Sequence, residues 1–428
     1  DGGSKKKREV SFMSAVKGGQ NRFAALPARD VRLVQVSHLK QLFELAPRSH
    51  LAEAVVEKVN EVLAEHEGSS GSTRLSPGQL LLEIEGERVP VPLLTPHWSR
   101  KLADGFKPSA VRRHLEYEQL SACLLYDESF DFERLWRWTD QKELAGKRGG
   151  KEFLPIEPLN VESLDLSPRP LEDVTLPDDL LKPVSVYLAE EYGCKPALAK
   201  AMAQKAAQVR QWCCPKTQEL KPGQVVWLAY STRRLKRGQG RLLVPVVLTL
   251  LTLDEQNMGF QTRGELKNLK VRQIERLTAE AWRQDGVLTM LDLELLLNLN
   301  GATLRQLLAA YQEHFGVLLP TAGTVLDMGR TLTHKTIVVE MSLEGLSTQQ
   351  IARRIFHTPE AVDNYLRLFD RVLVLRYFKM PPKLMRQVTG HSLALINEHL
   401  ALAEKHFPSE KDLVEYLTNR GVELEKAQ

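Results

Sequence analysis

The sequence predicts a mainly α fold with small antiparallel β-hairpins (α+β), built from tandem helix-turn-helix or winged-helix-like modules and an internal duplication. Three observations carry this. First, residues 346–366, LSTQQIARRIFHTPEAVDNYL, set Ile351 and Ile355, then Val362 and Leu366, at i, i+4 spacing on either side of a polar turn, so each helix has one apolar face. Second, the pattern returns in 380–400, MPPKLMRQVTGHSLALINEHL. His357 and Thr358 align there with His391 and Ser392, Val362 with Ile396 and Leu366 with Leu400, all at an offset of 34. Third, LSPGQ at 75–79 reappears as LKPGQ at 220–224, and strand-like runs follow both.

Length and composition bound the rest. A chain of 428 residues implies three or four compact units, and 43% apolar with 26% charged residues is the composition of a folded, soluble protein. No run approaches the roughly 18 apolar residues of a membrane span, the most apolar being 244–253. Residues 1–30 read as a basic tail in which Lys5, Lys6, Lys7 and Arg8 follow a Gly-Ser start, without a secretory signal's apolar stretch. The expected location is cytoplasmic, with the nucleoid. Cys123, Cys194, Cys213 and Cys214 show neither a disulfide framework nor zinc-ligand spacing, so reduced thiols are expected. A net charge of +4 decides little; where the charge sits matters more.

In chain order, 31–143 is an α+β domain. It has helices over 31–66, a Gly/Ser loop at 68–73, a hairpin from 80–85 and 88–94 with its tip at Glu85 and Gly86, and helices over 111–126 and 130–138. Residues 144–183, rich in Pro and acids, read as a linker. Helices over 184–191 and 197–212 open a second α+β domain, 184–262. Four matches in one order make 31–143 a diverged copy of 184–300: the LxPGQ turns, 89–95 with 243–249, 111–113 with 271–273, and 130–135 with 288–293. Residues 263–322 follow as a winged-helix-like module with a wing strand at 317–321. Two further modules occupy 323–376 and 377–428, the last with a closing helix at 410–420.

A helix-turn-helix reads DNA with residues at the start of its second helix. In the middle module these are His357, Thr358, Glu360, Asn364 and Arg367, with Arg353 and Arg354 on the preceding helix suited to phosphates. Their counterparts in the third module are His391, Ser392 and Asn397, preceded by Lys383, Arg386 and Gln387, and in the first Thr303, Arg305 and Gln306. Asn pairs with adenine and Arg with guanine, whereas a Thr358 hydroxyl equally caps its helix. A second basic feature, Arg233, Arg234, Lys236, Arg237 and Arg241, sits at the tip of the second hairpin; it suits a phosphate backbone or a solvated loop alike. The first copy lacks this charge. Aromatics are few and not interleaved with the cations, against a single-strand stacking platform. No phosphate loop, HExxH or nucleophile elbow is present, so no catalytic, metal or cofactor residue is assigned.

Several stretches resemble a family of prokaryotic proteins of unknown function, DUF1670, over about residues 182–420. They are LKPGQVVWL at 220–228, VPVVLTL at 244–250, LLPTAG at 318–323, THKTIVVE at 333–340, LEGLS at 343–347 and IARR at 351–354. Where that family's middle module carries a Thr-Gly-His-Ser-like turn, this chain has Ile355, Phe356, His357 and Thr358; the TGHS form occurs at 389–392. The resemblance implies a helix-turn-helix protein associated with mobile DNA and supplies no reaction or ligand. The function expected is sequence-specific binding of double-stranded DNA, as a transcriptional regulator or a mobile-element targeting or accessory factor. Self-association or other proteins of that machinery are further partners, and no membrane is. A recombinase or nuclease with dispersed carboxylates, and a helical adaptor for protein assembly, remain the alternatives.

Overall fold

The computed structural model describes residues 30–46, 48–70, 73–127, 176–233, 242–252, 254–255, 263–326 and 333–422. They fall into two compact units, one within Asp1–Gly286 and Leu291–Asn300, the other within Val287–Met290 and Gly301–Gln428. The fold is mainly helical with a small antiparallel sheet, as the sequence predicts.

In the first unit, α1 (Val31–Leu42) and α2 (Leu51–Ser70) pack with α5 (Lys182–Tyr192) and α6 (Pro196–Cys213). The helices between are α3 (Pro96–Ala103) and α4 (Pro108–Leu124). Gly193, left-handed at φ 62, stops α5, and Pro196 opens α6. Ala199, Ala203, Ala206 and Ala207 give α6 a shallow face against which Leu39, Val55, Val59, Leu63 and Leu188 bury. Inside this core Gln35 is fully buried but satisfied: its Nε2 donates to Ala206 O at 2.8 Å, and its amide pairs with that of Asn60.

The strands β1 (Gln79–Ile84), β2 (Glu87–Pro92), β3 (Gln224–Ser231) and β4 (Leu243–Thr249) stand in the order β2-β1-β3-β4. Glu85 and Gly86, at φ 51 and 79, make the two-residue turn of the first hairpin. The two Pro-Gly-Gln turns are equivalent in three dimensions. Gly78 N donates to Val226 O and Gly223 N to Leu81 O, both at 2.7 Å, and both pairs differ by 145 in residue number between copies (223 − 78, 226 − 81). The Gln79 side chain accepts from Ser76 N and that of Gln224 from Lys221 N. Gly78 O accepts from Leu93 and Leu94, and Gly223 O from Leu250 and Leu251. Two helices and a hairpin thus recur about a centre at the Leu80–Val225 pair.

Sequence matching alone misplaces two parts of this repeat, one being 111–113 against 271–273, an offset of 160 where Gln119 and Arg276, on equivalent carbonyls, stand 157 apart. It also sets 89–95 against 243–249, whereas the hydrogen bonds equate Leu93 and Leu94 with Leu250 and Leu251, three residues further along. The change in offset from 145 to 157 lies in the hairpin connection: Ile84 pairs with Glu87, and its counterpart Ala229 pairs with Val244. The second copy is twelve residues longer there, and those residues carry the basic loop.

The outer sides of β2 and β4 are completed differently. On β4, alternate residues Pro245, Val247 and Thr249 face outward, toward α7 (Arg263–Arg283) and the residues just after it. Gln284 accepts from Val247 N at 2.9 Å and donates to Val247 O at 2.7 Å. Glu280 accepts from Thr249 N at 2.6 Å, and Arg276 Nε donates to Thr249 O at 2.8 Å. Residues four apart on a helix climb about 6 Å and alternate strand residues advance about 6.6 Å, so the side chains stay in step with the strand. On β2 the equivalent positions are Pro90 and Pro92, which have no N–H, and Gln119 of α4 donates to Pro92 O as Arg276 does to Thr249 O.

β5 (Gly286–Val287) and α8 (Met290–Leu296) follow. Gly286 has Val246 Cγ1 2.6 Å and Ala229 Cβ 3.1 Å from where a Cβ would stand, so no larger residue fits.

The second unit holds α9 (Gly301–Phe315), α10 (Ala322–Val325), α11 (Thr333–Leu343), α12 (Thr348–Arg354), α13 (Pro359–Tyr377), α14 (Pro382–Thr389), α15 (Leu393–His406) and α16 (Glu410–Asn419). α13 is its centre. Val362, Leu366, Phe369 and Leu373 bury with residues of α11, α12 and α16, while Leu368 and Val372 bury with Met385, Leu395 and Ile396 of α14 and α15.

Several expectations differ from this structure. Residues 31–143 and 184–262 do not stand apart, because their described parts share one core and one sheet. Residues 178–181 form a 3-10 turn with Leu181 in the core, so the linker does not extend to 183. α2 runs through Gly68 to Ser70, past the expected loop start. Residues 317–320 form no wing strand; Thr321 alone makes an isolated bridge, to Leu288. The 263–322 module is divided, most of α8 belonging to the first unit and α9 to the second. The helix expected over 130–138 and most of the linker lie outside the described residues.

Candidate functional site

The middle helix pair is built as its spacing requires. Ser347 and Gln350 close a reciprocal capping box at the start of α12, and Thr358 caps α13 by accepting from Ala361 N at 3.3 Å. Between them Phe356 takes a left-handed conformation, φ 56, and His357 N reaches back to Ala352 O at 3.0 Å. The third pair repeats the left-handed turn and the cap of the second helix 34 residues on, but not the capping box, since α14 starts after Pro381 without a side-chain cap. Gly390, at φ 72, stands at the place of Phe356, and Ser392 accepts from Leu395 N as Thr358 does from Ala361. The turn position is therefore left-handed in both pairs, and in the middle one Phe356 holds it with a half-buried side chain. Gly390 has open space for a Cβ but not the φ for one, so Gly390→Ala should cost ~1 kcal/mol of stability in urea denaturation.

The turn buries Ile351, Ile355, Val362 and Leu366 and leaves Arg353, Arg354, Thr358, Glu360, Asn364 and Arg367 exposed. Arg367 Nη2 donates to Asn364 Oδ1 at 2.9 Å and its Nε to Asp363 O at 3.3 Å, which sets these two side chains as one unit on the α13 surface. Thr348 Oγ1 donates to Asp363 Oδ1 at 3.0 Å, tying α12 to α13. The Glu360 carboxyl is held below its usual range by its own backbone N–H and by Thr358 at the helix start. His357 is half-buried against Tyr365, with ring centroids 5.8 Å apart, so it belongs to the turn's packing rather than to the outward face.

In the third pair Lys383, Arg386, Gln387, His391, Ser392 and Asn397 are exposed. Leu384 and Val388 of α14 are exposed with them, at 44% and 61%. The pKa of His391 lies below the usual imidazole value, lowered first by desolvation and then by the charges of Lys335 and Arg371. Lys335, on α11, lies 5.3 Å from the Tyr365 ring centroid. Only the packing of α11 against α13 and α15 brings Lys335 here; no sequence spacing marks it.

The remaining candidates are not gathered at this face by any described contact. On α9, Arg305 and Gln306 are exposed and Thr303 half-buried. Arg233 is 80% exposed and paired with Asp285 at 3.2 Å, an ion pair open to water and weak for that reason. Arg234, Lys236, Arg237 and Arg241 lie outside the described residues. Among the described residues no group of three His, Cys, Asp or Glu is placed to hold a metal ion, and no helix is long and apolar enough to cross a membrane. No disulfide joins the four cysteines among the described residues, and burial pushes the thiol of Cys123 up to about 11.

No curated protein and no solved structure matches this chain. A family model described as "Protein of unknown function (DUF1670)" matches residues 188–402, from within α5 to within α15, so that the first copy of the repeat lies outside the match. With half of its length in that match, the chain belongs to the DUF1670 family.

Proposed function

We propose that this protein binds double-stranded DNA at specific sequences, as a transcriptional regulator or a mobile-element targeting or accessory factor. The observation that carries the reading is the α12–turn–α13 surface. Its apolar residues are spent on the core, and its exposed side chains put two arginines on the first helix and an Asn–Arg pair on the second. The repeat of the arrangement in α14 and α15 supports it, because two pairs at a fixed period suit an extended site. Nucleoid association follows from this reading and stands or falls with it.

Titration of fluorescent duplexes against the full chain tests it. If Arg353, Arg354, Lys383 and Arg386 each neutralise a phosphate, affinity should fall with salt at a log–log slope of about −3 to −4. Replacing Asn364 and Arg367 by Ala should relax sequence choice by ~1–3 kcal/mol per base read. Affinity indifferent to salt, or absent, would refute the reading.

One observation favours a second. α14 exposes Leu384 and Val388 beside its cations, and Phe378 is 50% exposed just before it. That mixed face suits a helical partner protein or a second copy. Mass measurement with and without DNA separates the two readings.

A further inference from the structure

We propose that a cleft of the first unit, between α3, α4 and the end of α8, binds a small molecule with an apolar body and amine- or amide-type N–H donors. The cleft is shallow, with a cavity volume of about 40 Å³ between its walls, and it is open on one side to solvent. Its walls are Leu93, Leu102, Val111, Leu115 and Leu295, a surface that suits an aromatic ring.

Two acceptors in this wall have no protein partner. Gln119 is 3% exposed and lines the cleft, and its Nε2 donates to Pro92 O at 2.6 Å. A carbonyl only accepts, so this bond fixes which end of the amide is the nitrogen and leaves Oε1 as the atom without a hydrogen bond. Asn298 also lines the cleft, and its Oδ1 is likewise buried without a partner. Arg112, a third lining residue, turns one donor away to Leu299 O at 3.3 Å. A buried carbonyl without a donor is costly, and a ligand N–H removes that cost.

The chain's own repeat sharpens the contrast. Arg276 stands in the second copy where Gln119 stands in the first, since Thr249 O is the counterpart of Pro92 O. Arg276 is fully engaged: it donates to Thr249 O and Leu250 O, and to both oxygens of Glu255 at 2.7 and 2.8 Å. The second copy thus satisfies this position from within the chain. The first presents an acceptor to an apolar cleft.

Aniline and toluene differ only in the donor, which makes them the probes. In saturation-transfer NMR on the full chain, aniline at millimolar concentration should bind, and toluene should bind at least about tenfold more weakly. Gln119→Leu should bring aniline down to the level of toluene. Should that variant not fold, Leu295→Trp, which fills the cleft from α8 and leaves Gln119 intact, should abolish both signals. Equal binding of the two probes, no transfer to aniline, or aniline binding unchanged in Leu295→Trp would overturn the proposal. The first two outcomes mean that water alone serves Gln119. None of these outcomes bears on DNA binding.

Discussion

Gly223→Ala and Gly78→Ala should each destabilise the first unit by ~3 kcal/mol or more. A Cβ at Gly223 would stand 1.9 Å from Leu251 O, and one at Gly78 2.0 Å from Leu94 O, at φ of +85 and +87. These are backbone oxygens in turns, so no side chain can rotate away. The turn itself must open, losing hydrogen bonds to Leu250 and Leu251, or to Leu93 and Leu94, on top of the strained φ. Strain of ~1–3 kcal/mol and ~1 kcal/mol for each lost bond sum to the stated loss. Gly68→Ala is the control: it sits in α2 with nothing within 4 Å of its Cβ, and it should stabilise by ~0.5–1 kcal/mol. Trp227, fully buried on β3, reports unfolding by fluorescence in urea. Loss of stability in both turn variants, against a gain in the control, is the expected pattern; three similar midpoints would contradict the geometry.

The second large effect is acid destabilisation of the second unit. His399 is fully buried on α15 against Phe369 of α13, ring centroids 5.5 Å apart, and neither ring nitrogen has a hydrogen-bond partner. Burial, with His391 and Lys335 adding to it, lowers its pKa from 6.5 to about 4. A histidine lowered on folding binds its proton more tightly when unfolded. Its share of stability is therefore intact above pH 6.5 and lost as pH falls from 6.5 through 4. At 1.36 kcal/mol per pH unit that loss approaches ~3 kcal/mol. His399→Leu removes the titration and two unsatisfied nitrogens. Its thermal midpoint should fall less than that of the parent between pH 7 and 4. Parallel pH profiles would show that His399 is not responsible.

How far the sequence could be read depended on the range of the interactions. The helix pairs were legible, because i, i+4 spacing, N-caps at Thr358 and Ser392 and the 34-residue offset are all local. So was the first hairpin, where Glu85 and Gly86 are typical of a two-residue turn. The union of the two copies was not legible. It rests on Leu80 meeting Val225 and on α2 meeting α6, contacts that leave no local pattern. The wing at 317–321 failed because an apolar run of that length forms a strand only where a partner strand is supplied, and Thr321 meets only Leu288. At the candidate site, the exposed arginines and Asn364 followed from helical phase. The inward turn of His357 and the approach of Lys335 are properties of packing.

The two outer strands have a consequence for association. A bare strand invites another chain to pair with it, through domain swapping or fibril growth. Here β2 refuses through Pro90 and Pro92, a refusal written into the backbone that holds whatever the rest of the unit does. β4 refuses only while Glu280 and Gln284 stay docked on Thr249 and Val247. Loosening the end of α7 would free two N–H groups on one side of the sheet, at positions where the other side has only prolines. Growth by strand addition would then be one-sided: two such molecules can join β4 to β4, and the pair ends at two proline-bearing strands, so the product is a dimer and not a fibre.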